Sequence, residues 1–163
     1  MTEGWLIIGY GSRLRGDDAV GLHAARLLAR RGFRTLAVPQ LTPELAESIA
    51  LARTVVFVDA DARLAPGEVA MAPVEAAPLR SAAARRAPMM EHHATPESLL
   101  RLVRELYTAT PQAWRAGIGG ADFGLGGRLS PAAKTGLRRA VAEVLARANE
   151  ASPPIGPAPR RLR

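Results

Sequence analysis

The chain of 163 residues contains no cysteine. That excludes disulfides, thiolate metal sites and a cysteine nucleophile, and it fits a reducing compartment. Aromatic residues make up only 4%, and lysine is nearly absent among many scattered arginines. A single-stranded nucleic-acid surface calls for basic clusters interleaved with aromatic stacking platforms, so nucleic-acid binding is disfavoured. No apolar run approaches the roughly 20 residues of a membrane span. No basic stretch followed by an apolar segment opens the chain, so no secretion signal is read and a cytoplasmic location is expected. Neither a HExxH helix nor a GxSxG nucleophile elbow is present: Ser12 has Tyr10 and Leu14 at the flanking places.

What is present is an alternation of strand-like and helix-like segments. Apolar residues make up 48% and the net charge is +7. Arg160, Arg161 and Arg163 sit in the tail "ASPPIGPAPRRLR", so the first 150 residues carry +4. Residues 1–150 are expected to form one domain, and 151–163 a Pro/Arg-rich tail too poor in apolar surface to order by itself. "GWLIIGYG" (4–11), "FRTLAVP" (33–39), "TVVFVDA" (54–60), "EVAMAPV" (68–74) and "QAWRAGIGG" (112–120) read as strands. A helical pattern starts at Asp17, with Val20, Ala24, Leu27 and Leu28 on one face. Another spans 42–52, with Thr42 as its expected N-cap. Thr95 caps a third, with a stripe of Leu99, Leu102, Val103 and Leu106. The fourth covers 130–150, with Leu137, Val141, Val144 and Leu145 inward. Residues 75–95 read as a long loop. Strands alternating with helices predict an α/β fold of three layers, α/β/α, around a twisted, mostly parallel sheet. In such sheets ligands bind beyond the C-terminal ends of the strands.

That rule selects the polar residues worth weighing. In "LIIGYGSRLRGDDAVG" (6–21) the glycines fall at 9, 11 and 16. The third is two residues late for GxGxxG, and Asp17 and Asp18 would repel a phosphate at the helix start. The glycines are read as serving the turn of the chain. The plain reading of Asp17 and Asp18 is helix capping; one can cap while the other faces the cleft. Asp59 ends an apolar strand at the crevice, with Asp61 as its competitor. "MEHH" (90–93) offers His92 and His93, while His23 lies on the first helix as an ordinary surface or partly packed residue. Asp18, Asp59 and His92 or His93 would make a mixed O,O,N set suited to a divalent first-row metal such as nickel or zinc.

The combination of "GYGSRLRGDDAVG", "VVFVDA" followed by "PG", and "HHATPESLL" resembles the hydrogenase maturation endopeptidases, from about Leu6 to the final helix. The resemblance implies a peptidase, of metal-dependent or aspartyl type, that removes the C-terminal extension of a [NiFe]-hydrogenase large-subunit precursor after nickel insertion. It implies that the nickel belongs to the substrate and is contacted by Asp18, Asp59 and His92, with His93 in reserve. It implies Asp18 and Asp59 as the catalytic pair. Ser12 stands where many relatives carry Asn, and "QLTPELAE" replaces their middle glycine-rich segment. The alternative is a non-catalytic metal-dependent binding protein or chaperone on the same fold. A nucleotide-binding domain is the third reading, disfavoured by the glycine spacing.

Overall fold

The computed structural model describes residues 2–82 and 94–151. The expected residues His92 and His93, and all of the tail beyond Ala151, lie outside them. Five strands form one sheet: β1 (Trp5–Tyr10), β2 (Arg34–Val38), β3 (Thr54–Ala60), β4 (Val69–Pro73) and β5 (Gln112–Ile118). A 3-10 turn (Gly16–Ala19) leads into α1 (Val20–Ala29), followed in chain order by α2 (Leu45–Ala50), α3 (Pro96–Tyr107) and α4 (Pro131–Glu150). The strand order is β2-β1-β3-β5-β4. β1, β2, β3 and β5 run parallel, and β4 lies antiparallel on β5 at the edge. The reversal has a simple cause. Residues 61–68 between β3 and β4 are too few for the crossover that a parallel strand requires.

Period-two alternation divides the sheet into two apolar faces. Trp5, Ile7, Val56 and Val58 pack with α1 and α4. Leu6, Ile8, Val55 and Phe57 pack with α2 and α3. The fold is therefore the predicted three-layer α/β/α arrangement. No helix among the described residues is long and apolar enough to cross a membrane.

Two of the four α-helices among the described residues start at a side-chain cap. Thr95 and Ser98 form a reciprocal capping box at the start of α3. Ser130 caps α4 by accepting from the amide of Ala133, with Pro131 in the first turn. Two expectations need correction. Thr42 does not cap α2: Leu45 and Ala46 donate to the carbonyls of Thr42 and Pro43 in tight turns, and the helix proper starts at Leu45. On α3 the inward stripe takes Leu100, whereas Leu106 is 64% exposed in the last turn. Leu100 lies one residue from Leu99, so the buried face is wider than the narrow stripe read from spacing.

α1 is pressed onto the sheet through glycines. A Cβ on Gly9 would lie 1.9 Å from the carbonyl oxygen of Gly21, and one on Gly21 would lie 2.2 Å from that of Val58. Only glycine at both positions lets the helix backbone touch the ends of β1 and β3. The glycines of the first motif serve chain geometry, as the sequence suggested.

The connectivity also places the crevice. From β1 the chain crosses to β2 on one side, and β3 then pairs on the other side of β1. The point where strand order reverses thus lies between the C-terminal ends of β1 and β3, at Tyr10 and Asp59.

Candidate functional site

β1 ends in Tyr10, and the chain turns at Gly11, whose φ of +141° belongs to glycine. The loop that follows carries Asp17 and Asp18. The two adjacent carboxylates do different things, and neither caps the helix it precedes.

Asp17 is fully buried. Its Oδ2 accepts from the amides of Ala121 (2.7 Å) and Asp122 (2.9 Å) and from Ser130 Oγ (2.7 Å). Its Oδ1 accepts from the Ser130 amide at 2.7 Å. The neighbouring backbone adds two more ties, from Gly16 N to the Gly126 carbonyl and from Asp17 N to the Asp122 carbonyl, each 2.8 Å. Burial pushes the Asp17 carboxyl up, but the hydrogen bonds from Ser130, Ala121 and Asp122 together hold it below the usual carboxylate range. Asp17 is thus a clamp between the 3-10 turn and the 121–130 segment. Those long-range donors, more than a hundred residues away, outcompete the local helix amides for the carboxylate.

Asp18 is half-buried and points elsewhere. Its Oδ2 accepts from the amide of Ser12 at 2.7 Å, and its Oδ1 has no hydrogen-bond partner among the described residues. A Cβ on Gly11 would lie 3.6 Å from Asp18 Cγ, so the carboxyl hangs beside the turn that leaves β1.

Asp59 sits near the end of β3, 8% exposed. By alternation it faces the α2/α3 layer with Val55 and Phe57. Its Oδ2 accepts from the Tyr10 hydroxyl at 2.8 Å and from Arg115 Nη2 at 2.8 Å. A longer contact of 3.4 Å runs from Arg115 Nε to Oδ1. Burial raises the Asp59 carboxyl above its ordinary range, although Arg115 and Tyr10 both pull it down. The Tyr10 phenol is pushed up, first by burial and then by the Asp59 charge. Arg115 is held more firmly protonated, chiefly by its hydrogen bond to Asp59.

The two carboxylates therefore border one short segment: Asp59 through the hydroxyl of Tyr10, Asp18 through the amide of Ser12. Asp61 is engaged separately. Arg63 donates to it through Nε at 2.9 Å, Nη2 at 2.8 Å and its own amide at 3.0 Å, and these bonds bring its carboxyl down to about 2. His23 is half-buried on α1 in a groove with Arg26 and Arg30, and burial followed by the Arg26 charge lowers its imidazole below the ordinary value. Among the described residues no three His, Cys, Asp or Glu side chains come together as a metal-binding group.

Tyr10, Arg115 and Ser130 escaped the sequence reading. Arg115 had a visible signal, as the lone charge inside the apolar stretch "AWRAGI". On the strand its alternation puts it on the same face as Asp59. Tyr10 also faces the α2/α3 layer. Ser130 was legible only as a cap.

No known family model matches the chain, and no curated protein matches it in sequence. Solved structures do. The [NiFe] hydrogenase maturation protease HybD from Thermococcus kodakarensis is 25% identical, with a TM-score of 0.67 over 88% of this chain and 98% of that one. The maturation protease HycI from Thermococcus kodakarensis KOD1 is 24% identical, with a TM-score of 0.64 over 90% and 92%. The hydrogenase maturating endopeptidase HybD from E. coli is 19% identical, with a TM-score of 0.69 over 90% and 92%. Across most of its length the chain thus resembles the [NiFe] hydrogenase maturation endopeptidases.

Proposed function

We propose that this protein is an endopeptidase that removes the C-terminal extension of a [NiFe]-hydrogenase large-subunit precursor once nickel has been inserted. The reading assigns Asp18, Asp59 and His92, with His93 in reserve, to contact with the substrate's nickel, and Asp18 and Asp59 to catalysis. The observation that carries it is the pair of carboxylates bordering residues 10–12, where the strand order reverses. The likeness to maturation proteases supports it. A phosphate or nucleotide would find two negative charges at this position, whereas a cation finds acceptors.

The nickel arrives as part of the substrate and supplies Lewis acidity near the scissile bond. The chain's own residues position and accept protons. Asp18 Oδ1, without a hydrogen-bond partner among the described residues, is available to take a proton from water. Asp59, raised by burial, is disposed to exchange a proton nearer to neutrality than an exposed aspartate. In the balanced reaction, water adds its oxygen to the scissile carbonyl carbon. Its proton passes through a carboxylate to the departing amine.

The test is a cleavage assay with nickel-loaded precursor. The parent protein is expected to convert the precursor to its shortened form, and Asp18→Asn and Asp59→Asn to leave it intact while staying folded. Normal processing by both variants would remove the assignment. Tight binding of the precursor by the parent, with the extension left uncut, would favour a metal-dependent binding protein instead.

A further inference from the structure

Asp59 is already partnered by a cation of the chain itself. Arg115 lies two residues before the Asp59 partner on β5: Asp59 is in register with Gly117, and Phe57 with Arg115. The arginine side chain therefore runs forward along the face of the sheet to reach the carboxylate. The members of the pair differ in burial, with the Asp59 side chain 11% exposed and that of Arg115 33%. The acid is fixed in the floor and the base lies on the solvent side.

The contact is also the loosest of its kind among the described residues. Arg63 grips Asp61 with bonds of 2.9 and 2.8 Å, and Arg80 grips Glu105 with bonds of 3.1 and 2.8 Å. Arg115 makes one close bond of 2.8 Å and one stretched contact of 3.4 Å. Two short parallel bonds are what make an arginine fork strong, and this fork is half engaged. Tyr10 holds the same Oδ2 from the neighbouring strand, so the carboxylate keeps its orientation if the guanidinium leaves.

We infer that Arg115 is a built-in competitor for Asp59, a positioning and selectivity residue whose guanidinium occupies the carboxylate until the metal of a loaded precursor displaces it. This rests on the assignment of Asp59 to the substrate's nickel. A free divalent ion must break the Arg115–Asp59 pair with only its own charge to offset the loss. A metal held in the precursor brings the binding energy of the whole protein substrate to the same exchange. Arg115 thus sets a threshold that a loaded precursor passes far more readily than a free ion.

Loss of any positive charge beside Asp59 favours a cation through Coulomb attraction alone, so the charge-keeping Arg115→Lys is the decisive variant: a merely structural arginine replaced by lysine leaves metal binding weaker or unchanged. A competitor replaced in the same way makes it tighter. Ni2+ alone, and Cd2+ alone, are titrated calorimetrically into the parent, Arg115→Gln and Arg115→Lys in a mildly alkaline buffer. Arg115→Gln is expected to bind on the order of tenfold more tightly than the parent, as for the loss of one competing ion pair. Arg115→Lys, which keeps the charge but not the fork, is expected to fall between them. In the cleavage assay, free Ni2+ should inhibit Arg115→Gln at about a tenth of the concentration needed for the parent. Should Arg115→Gln not fold, Arg115→Lys carries the comparison with the same sign. Equal or weaker metal binding by folded Arg115→Lys overturns the inference. If Asp59→Asn leaves both metal binding and processing untouched, the assignment of Asp59 fails. If Asp59→Asn abolishes both while the Arg115 variants bind like the parent, the function stands and only the role of Arg115 falls.

Discussion

Asp17 and Asp18 are neighbours in sequence with opposite circumstances. Asp17 is sealed in the interior with four donors on its two oxygens; Asp18 is half-buried, with a single donor on one among the described residues. Asp17 is held as a structural element: both of its oxygens accept from backbone or side-chain donors, and it is fully buried. The pair shows how two identical side chains in adjacent positions divide between tying down a distant segment and bordering the turn that leaves β1.

That contrast can be broken most directly at Asp17. Asp17→Ala strands the amides of Ala121, Asp122 and Ser130 and the Ser130 hydroxyl. It is expected to cost about 3–5 kcal/mol of stability by urea unfolding. A loss no larger than that of Asp18→Asn would erase the distinction. Ser130→Ala removes one of those donors and the cap of α4 together, and about 1–2 kcal/mol should go with it in the same measurement.

Acid unfolding sharpens the comparison through a third carboxylate. The folded value of Asp17 lies below its unfolded one of about 3.9. Its stabilisation is therefore complete above about pH 4 and is lost as pH falls through the folded value. Asp59 behaves in the opposite way. Its folded value is raised, so its contribution is present below about pH 4 and declines as pH rises through the folded value. Stability profiles of Asp17→Asn and Asp59→Asn should depart from the parent on opposite sides of that point, and departures on the same side would refute the assignment. The smallest stability change belongs to Asp18→Asn, within about 0.5 kcal/mol, even though this variant is expected to lose processing.

The architecture was legible in the sequence because its signals were local. β3 is apolar until Asp59, and the caps at Thr95 and Ser130 mark two helix starts. The adjacent aspartates were not separable that way, since both suit a helix N-terminus equally well. What divides them is the 121–130 segment, more than a hundred residues downstream. The same holds for Tyr10 and Arg115, which reach Asp59 only through the pairing of β1 and β5 with β3. Leu106 went astray for a smaller reason: spacing predicts a face of the helix but not where the neighbouring layer stops.

Tyr10, Asp59 and Arg115 come from three adjacent strands, and this has a consequence for how errors in folding are handled. A slip of one residue in β3 would turn Asp59 into the oily layer under α1 and α4 and take it from both its partners. The mispaired sheet would then carry a naked charge among valines and leucines, at a cost of several kcal/mol. That cost weighs against a nearly correct form with a misdirected carboxylate: the residue at the end of β3 also acts as proofreader of strand alignment.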